Sequence, residues 1–135
     1  MAGNDRRTVL IVDDSTALLE ALTSAFDAAG YEVGHAIDGE EVFRKLTAFN
    51  PQAVLLDVYM PKINGADVCR LMKAHPSWKG IQLVLMSARM SDKEIEAFRR
   101  MGADDFLKKP FAPEDAVALV GRMLQRRASG PTPGR

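Results

Sequence analysis

The sequence predicts a doubly wound α/β domain, in which helices cover both faces of a five-stranded parallel sheet. One observation is a set of short apolar runs, because continuous apolar runs of this length are typical of strands buried on both faces. The other is that longer segments with helical periodicity separate these runs, as the crossover connections of a parallel sheet require. Together they form five successive strand–helix units.

The first unit combines a strand over residues 8–12 with a helix over residues 15–29. Residues 9–12 are all aliphatic, which favours a buried strand. Gly30 follows the helical segment at the position where glycine commonly ends a helix. The apolar residues of this helix recur at helical spacing and are expected on one inward face: Leu18, Leu22, Ala25, Phe26 and Ala29.

The second unit begins with residues 31–37, which alternate between apolar and polar side chains as a half-covered strand does. Its helix opens at Asp38, and Glu41 stands at the spacing of a capping box. The dipeptide of Asn50 and Pro51 ends this helix, because a residue before proline disfavours helical geometry. The inward residues are Val42, Phe43 and Leu46.

The third and fourth strands are predicted at residues 53–56 and 81–86, both leucine-rich and both too short for helices. A helix over about residues 65–75 connects them. Its periodicity predicts an inward face made of Val68, Leu71 and Met72.

The last two helices carry clear start and stop signals. Ser91 and Glu94 have capping-box spacing, and Gly102 ends the helix that they begin. Residues 104–108 form a short fifth strand, and Pro113 suits the first turn of the final helix. The residues of this helix that we expect to face inward are Val117, Val120, Gly121 and Leu124.

The second and fifth strands are the least apolar, so we expect them at the sheet edges. That placement fits the flavodoxin-like strand order 2-1-3-4-5. We expect an N-terminal extension over residues 1–7, the domain over residues 8–125, and a disordered tail or linker over residues 126–135. The tail is predicted because it has no large apolar residue that could pack.

Composition excludes several classes of protein. In 135 residues, 18 Lys and Arg balance 18 Asp and Glu, so the charge does not favour direct nucleic-acid binding. The apolar run at residues 9–12 is too short for a signal peptide or a membrane span, and we expect a cytoplasmic protein without membrane insertion. The single cysteine, Cys69, is expected in the core.

Polar side chains stand at the ends of four predicted strands. Asp13 and Asp14 follow the first strand, Asp57 ends the third, Ser87 follows the fourth and Lys109 follows the fifth. The carboxyl ends of parallel strands meet at one edge of the sheet, so these groups are expected to converge there. Carboxylates this close repel one another unless a cation lies among them, and Mg²⁺ suits such oxygen ligands.

Each of these residues also has a purely structural interpretation. Asp14 alone fits a helix cap, Ser87 fits a turn and Lys109 fits an exposed loop. Asp57 is harder to explain in this way, because a carboxylate at the end of an apolar central strand is costly to bury without a partner. Their joint placement at one edge favours a functional site.

The chain resembles, over residues 8–125, the receiver domain of two-component response regulators, in its single-domain, chemotaxis-regulator-like form. The resemblance depends on an ordered set of motifs and is more specific than any one of them. The motifs are the pair Asp13-Asp14, the stretch Leu-Leu-Asp57-Val-Tyr-Met-Pro61, the pair Asn64-Gly65, the step Met-Ser87-Ala88, and the run Gly-Ala-Asp-Asp-Phe106-Leu-Lys-Lys109-Pro110-Phe111.

The resemblance implies a phosphorylation switch rather than an enzyme acting on other substrates. Asp57 would accept a phosphoryl group from a histidine kinase or phosphotransfer protein, with Lys109 and Ser87 assisting, and Ser87 and Phe106 would form the switch. The face of the fourth helix, fifth strand and fifth helix would then control a downstream partner or fused output domain. Mg²⁺ would be held by Asp13, Asp14, Asp57 and the backbone carbonyl of Tyr59.

The resemblance also predicts a cis peptide bond between Lys109 and Pro110, which would turn the lysine back toward Asp57. Two other function classes share the predicted fold. An FMN-binding module would need a phosphate cradle in the first loop, where Asp13 and Asp14 would repel phosphate. A hydrolase that forms an aspartyl-phosphate typically has Asp-x-Asp after the first strand, whereas this chain has adjacent aspartates.

Overall fold

Strands and helices alternate along the whole of the described chain. The computed structural model describes residues 7–128, in which all strand pairings are parallel and the order is β2-β1-β3-β4-β5. The predicted fold class and strand order are therefore confirmed. The elements are β1 Thr8–Val12, α1 Thr16–Ala28, β2 Glu32–Ala36, α2 Gly39–Phe49, β3 Ala53–Asp57, α3 Gly65–Ala74, β4 Gln82–Ser87, α4 Asp92–Met101, β5 Asp105–Lys108 and α5 Pro113–Ala128.

The core forms two apolar layers, one on each face of the sheet. Successive side chains of a strand point to opposite faces, so Leu10 packs in one layer and Ile11 in the other. Helices α2, α3 and α4 contribute buried side chains to the first layer, while α1 and α5 contribute to the second. The β1, β3 and β4 strands are apolar on both faces for this reason.

The helix ends follow the predicted signals with one difference. Ser91 and Glu94 form a complete capping box, and Gly102 ends α4 with a φ of 113°. At α2, Asp38 Oδ1 accepts a hydrogen bond from the Glu41 N–H at 2.8 Å, as predicted. The Glu41 carboxylate instead reaches one residue further back and accepts from the Ile37 N–H at 2.9 Å.

Two residues predicted to face inward are exposed. The first is Leu71, which is 53% exposed. The inward face of α3 is instead formed by Val68, Met72 and Cys69, which are all buried. At 100° per residue, positions 68, 69 and 72 cluster on one side of the helix and position 71 lies outside that cluster. Ala29 is exposed because it is the C-cap residue of α1, beyond the last buried turn.

The last helix ends at Ala128, three residues beyond the expected domain end at residue 125. Gln, Arg and Ala propagate a helix well, so the glutamine and arginines after Leu124 do not stop it. Residues 1–6 of the expected extension and 129–135 of the expected tail lie outside the described residues. Between residues 7 and 128, no helix is long and apolar enough to cross a membrane.

Candidate functional site

Three aspartates meet at the carboxyl edge of the sheet. Asp57 is the last residue of β3, and Asp13 and Asp14 directly follow the neighbouring strand β1. One carboxylate oxygen from each of Asp13, Asp14 and Asp57 lies within 4.8 Å of the others. Asp13 and Asp57 are buried and Asp14 is exposed, so the cluster reaches from the sheet edge to the surface. The structure thus brings together the carboxylates that the sequence places at this edge.

Each oxygen of the two buried carboxylates accepts a hydrogen bond. Asp13 Oδ1 accepts from the Ser15 N–H at 2.9 Å, and Asp57 Oδ1 accepts from the Tyr59 N–H at 3.1 Å. The second oxygens share one donor, since Lys109 Nζ lies 2.8 Å from Asp13 Oδ2 and 3.2 Å from Asp57 Oδ2. These bonds compensate for the cost of burying two carboxylates.

The chain between β5 and α5 positions Lys109. Its backbone N–H donates to the Ser87 carbonyl at 2.8 Å, and its peptide bond to Pro110 is cis, as predicted. Burial alone would lower the pKa of the Lys109 ammonium, but the hydrogen bonds and charges of Asp13 and Asp57 outweigh burial and raise that pKa. Lys109 is therefore a fixed positive charge beside Asp57.

The acidic cluster fits a divalent metal ion. Lys109 supplies one positive charge against three carboxylates, which leaves an excess of negative charge at the cluster. Carboxylate oxygens are ligands that hard divalent cations prefer. The hydrogen bond from the Tyr59 N–H to Asp57 also keeps the Tyr59 backbone next to the cluster.

An open cleft of about 430 Å³ gives access to Asp57 from solvent. Among the predicted site residues, Asp57, Lys109 and Tyr59 line it. The full lining is Asp57, Tyr59, Ala88, Arg89, Glu94 and Lys109.

Ser87 and Phe106 border a separate small cavity. Ser87 is buried, and its hydroxyl donates to the Arg89 carbonyl at 2.6 Å and accepts from the Arg89 N–H at 3.0 Å. Phe106 is half-buried on β5, and the Arg99 guanidinium lies 5.2 Å from its ring centre. The cavity of about 60 Å³ between them is lined by Leu85, Ser87, Met90, Ile95, Phe106, Leu107 and Lys108.

Sequence reasoning missed the place of Glu94 in the cleft, because it identified this residue only as part of a helix cap. Glu94 Oε2 accepts a hydrogen bond from the Tyr59 hydroxyl at 2.7 Å. This bond raises the pKa of Tyr59, while the backbone hydrogen bond from Ser91 and then the one from Tyr59 lower the pKa of Glu94. Nothing in the local sequence signals a contact across 35 positions.

Comparison with known proteins identifies one family. The sequence model of the response regulator receiver domain matches residues 9–121. The chain is 33% identical over 126 residues to the DNA-binding response regulator MtrA of Mycobacterium leprae, covering 93% of this chain and 55% of MtrA. It is 37% identical over 124 residues to the transcriptional regulatory protein PrrA of Mycobacterium tuberculosis, covering 92% of this chain and 52% of PrrA. The chain thus spans about half the length of these curated relatives.

A solved structure supports the same relationship. The chemotaxis response regulator CheY4 of Vibrio cholerae superposes with a TM-score of 0.80 at 27% sequence identity. The superposition covers 87% of this chain and 98% of CheY4. The similarity therefore extends over nearly the whole of that smaller protein.

Proposed function

The chain belongs to the response regulator receiver domain family, a signalling module of two-component systems, and we propose that Asp57 is the residue on which it is phosphorylated. One observation carries this assignment. Asp57 ends a central strand, accepts a hydrogen bond from the Lys109 ammonium at 3.2 Å and lines the cleft that is open to solvent. A buried carboxylate with this access is available to an incoming phosphoryl group.

In the proposed reaction, an Asp57 carboxylate oxygen attacks the phosphorus of a phosphohistidine. A phosphorus–oxygen bond forms, the phosphorus–nitrogen bond breaks, and its electron pair returns to the imidazole of the donor. Lys109 offsets the repulsion between Asp57 and the phosphoryl oxygens, and Asp13 holds the lysine in place at 2.8 Å. Positioning and charge stabilisation supply most of the catalysis in phosphoryl transfer.

We assign the metal position to Mg²⁺, held by the carboxylates of Asp13, Asp14 and Asp57 and by the backbone carbonyl of Tyr59. Bound there, the ion would supply positive charge to the phosphoryl oxygens. The carboxylate cluster and the excess negative charge support this assignment. Hard oxygen ligands favour Mg²⁺ over softer metals.

Ser87 and Phe106 are proposed to convert phosphorylation into a change of surface. The Ser87 hydroxyl has one hydrogen, which it donates to the Arg89 carbonyl at 2.6 Å. Donation to a phosphoryl oxygen requires that this bond break, which would move the loop between β4 and α4. Phe106 borders the same cavity and would turn inward, so that the face of α4, β5 and α5 changes.

The domain acts in signalling and not as an enzyme on other substrates, and receiver domains interact with histidine kinases and output partners. We propose that it assists only its own phosphorylation and dephosphorylation, that it acts in the cytoplasm, and that a sensor histidine kinase or phosphotransfer protein is the donor. MtrA is a DNA-binding response regulator about twice as long as the matched region. For this chain we propose a downstream protein or a fused output domain as the target, without direct DNA contact by the receiver domain itself.

Phosphorylation with acetyl phosphate tests the assignment. The wild-type domain should gain one phosphoryl group in the presence of Mg²⁺ and lose this ability in EDTA, as measured by intact mass. Asp57→Asn should abolish labelling because the amide is a poor nucleophile. Asp115→Asn, in the first turn of α5, is the matched control and should label normally. Equal labelling of Asp57→Asn and wild type would show that Asp57 is not the acceptor.

A further inference from the structure

Tyr59 connects the floor of the cleft to the first turn of α4. Its backbone N–H donates to Asp57 Oδ1 at 3.1 Å, and its hydroxyl donates to Glu94 Oε2 at 2.7 Å. The tyrosine side chain between these two anchors lines the cleft that leads to Asp57. Tyr59 is 54% exposed, so burial alone does not hold the ring, and the bond to Glu94 restrains its outer end.

The carboxylate of Glu94 is already oriented before it meets Tyr59. Glu94 Oε1 accepts from the Ser91 N–H at 2.9 Å, and the Glu94 N–H donates to Ser91 Oγ at 3.1 Å. These two bonds form the capping box of α4 and leave the second carboxylate oxygen for the tyrosine hydroxyl. A preoriented acceptor needs little further ordering, which favours a persistent bond to Tyr59.

We propose that Glu94 is a positioning residue of the phosphorylation site, which holds the Tyr59 ring in the cleft and thereby prolongs the lifetime of phosphorylated Asp57. This inference rests on the proposed function of Asp57. Hydrolysis requires a water oxygen to attack phosphorus while the bond to the aspartyl oxygen breaks. The electron pair of that bond returns to the carboxylate, the proton of the water passes to solvent, and inorganic phosphate leaves. A ring restrained in the cleft hinders the approach of that water.

The decay of phosphorylated protein tests the proposal after removal of the phosphodonor. Tyr59→Phe keeps the ring but removes the hydroxyl, and Glu94→Ala removes the acceptor. Each should accelerate loss of phosphate about three- to tenfold, which is about 0.7 to 1.4 kcal/mol in the barrier. The double variant should decay no faster than the quicker single variant, because both substitutions remove the same bond.

Matched controls separate this role from a general effect on α4. Glu96→Ala makes the same substitution on the same helix outside the cleft lining. Ser91→Ala removes the Oγ bond of the cap but keeps the Ser91 N–H, which is the group that donates to the Glu94 carboxylate. Both should decay close to the wild-type rate. The ¹³Cζ chemical shift of Tyr59 should change in Glu94→Ala but not in these controls, since it reports hydrogen bonding of the phenol.

The experiment distinguishes failure of the proposed function from failure of the role of Glu94. If the wild-type domain takes up no phosphoryl group at Asp57, the proposed function is wrong and this inference falls with it. If wild type is labelled at Asp57 but Glu94→Ala decays at the wild-type rate, only the role of Glu94 is overturned. Equal acceleration by Ser91→Ala would also overturn it, because the effect would then come from the helix cap.

Discussion

A single ammonium group organises the candidate site. Lys109 Nζ contacts both Asp13 and Asp57, which lie at the ends of different strands, so its loss would leave two buried carboxylates without that partner. Ser87 and Tyr59 are likewise held by particular hydrogen bonds rather than by packing alone. Substitutions at Ser87 and Tyr59 should therefore change individual steps of the proposed switch while the fold persists.

Replacement of Ser87 should separate phosphorylation from the conformational response. Ser87→Ala should still accept phosphate on Asp57, because the hydroxyl is proposed to sense the phosphoryl group rather than transfer it. Binding of beryllofluoride should shift backbone NMR signals throughout α4 and β5 in wild type, but only near Asp57 in the variant. Ser77→Ala, in the loop before β4, serves as the control. A full response in Ser87→Ala would contradict the proposed switch.

Removal of the larger side chains around the cleft should shorten the lifetime of the phosphoryl group. Tyr59 and Arg89 both line the cleft beside Asp57. Tyr59→Ala should accelerate decay about ten- to a hundredfold, or about 1.4 to 2.7 kcal/mol, because it removes the ring as well as its hydrogen bond. Arg89→Ala should also decay faster. Unchanged decay in both variants would show that these side chains do not shield the phosphoryl group from water.

At the scale of the elements, the ends of the helices are determined by specific local chemistry. Gly102 ends α4 in the left-handed region, where a side chain is strained. The neighbouring Lys73 is tethered at its Nζ to the Ile81 carbonyl at 2.9 Å and to Asp104 Oδ2 at 2.8 Å. These bonds connect the end of α3 to the entry points of β4 and β5.

Alanine substitutions at two glycines should therefore have opposite effects on stability. In Gly102→Ala the new Cβ would lie 2.5 Å from Lys73 Cγ at a φ of 113°, and we expect a loss of about 1–3 kcal/mol in the free energy of unfolding. Gly121 lies within α5 and an added Cβ would meet its nearest neighbour at 3.8 Å. Gly121→Ala should gain about 0.5–1 kcal/mol.

Urea denaturation measures both free energies. The two variants serve as controls for each other because the chemical change is identical. If Gly102→Ala were as stable as wild type, the backbone at the end of α4 would have to tolerate a side chain, contrary to this interpretation.

At the scale of the whole molecule, the sheet separates two apolar layers and exposes its polar carboxyl edge to solvent. The acidic cluster lies where strands β1 and β3 meet, next to the core. The charge of this cluster, and whether a cation is bound to it, should therefore influence the stability of the folded domain as well as the chemistry of the site.

Binding of Mg²⁺ should stabilise the fold through this cluster. At a free concentration ten times the dissociation constant, wild type should gain about 1.4 kcal/mol and show a higher thermal midpoint. Asp14→Asn should lose most of this gain, yet unfold in EDTA at a midpoint no lower than wild type because one repelling carboxylate is removed. Thermal unfolding with and without Mg²⁺ measures both effects.

Asp115→Asn should retain the full stabilisation by Mg²⁺, since Asp115 lies in α5 outside the cluster. A wild-type midpoint that does not respond to Mg²⁺ would contradict the proposed metal site. A full response in Asp14→Asn would exclude Asp14 as a ligand.

Local sequence patterns were sufficient to predict the order of elements and the strand order of this protein. Apolar runs marked the buried strands, and caps such as Ser91 and stops such as Gly102 marked the helix ends. The same patterns placed Asp13 and Asp57 at one edge, because parallel strands direct their carboxyl ends to the same side. Each of these features follows from local patterns combined with the general rules for parallel sheets.

Only the tertiary structure decided which side chains pair at that edge and which face of α3 is buried. The sequence placed both Cys69 and Leu71 in the core, whereas packing buries Cys69 and leaves Leu71 53% exposed. Lys109 reaches Asp13 across 96 positions, and Tyr59 reaches Glu94 across 35. Such pairs depend on how loops and helices pack around the sheet, and local periodicity carries no information about the distance between side chains so far apart in the chain.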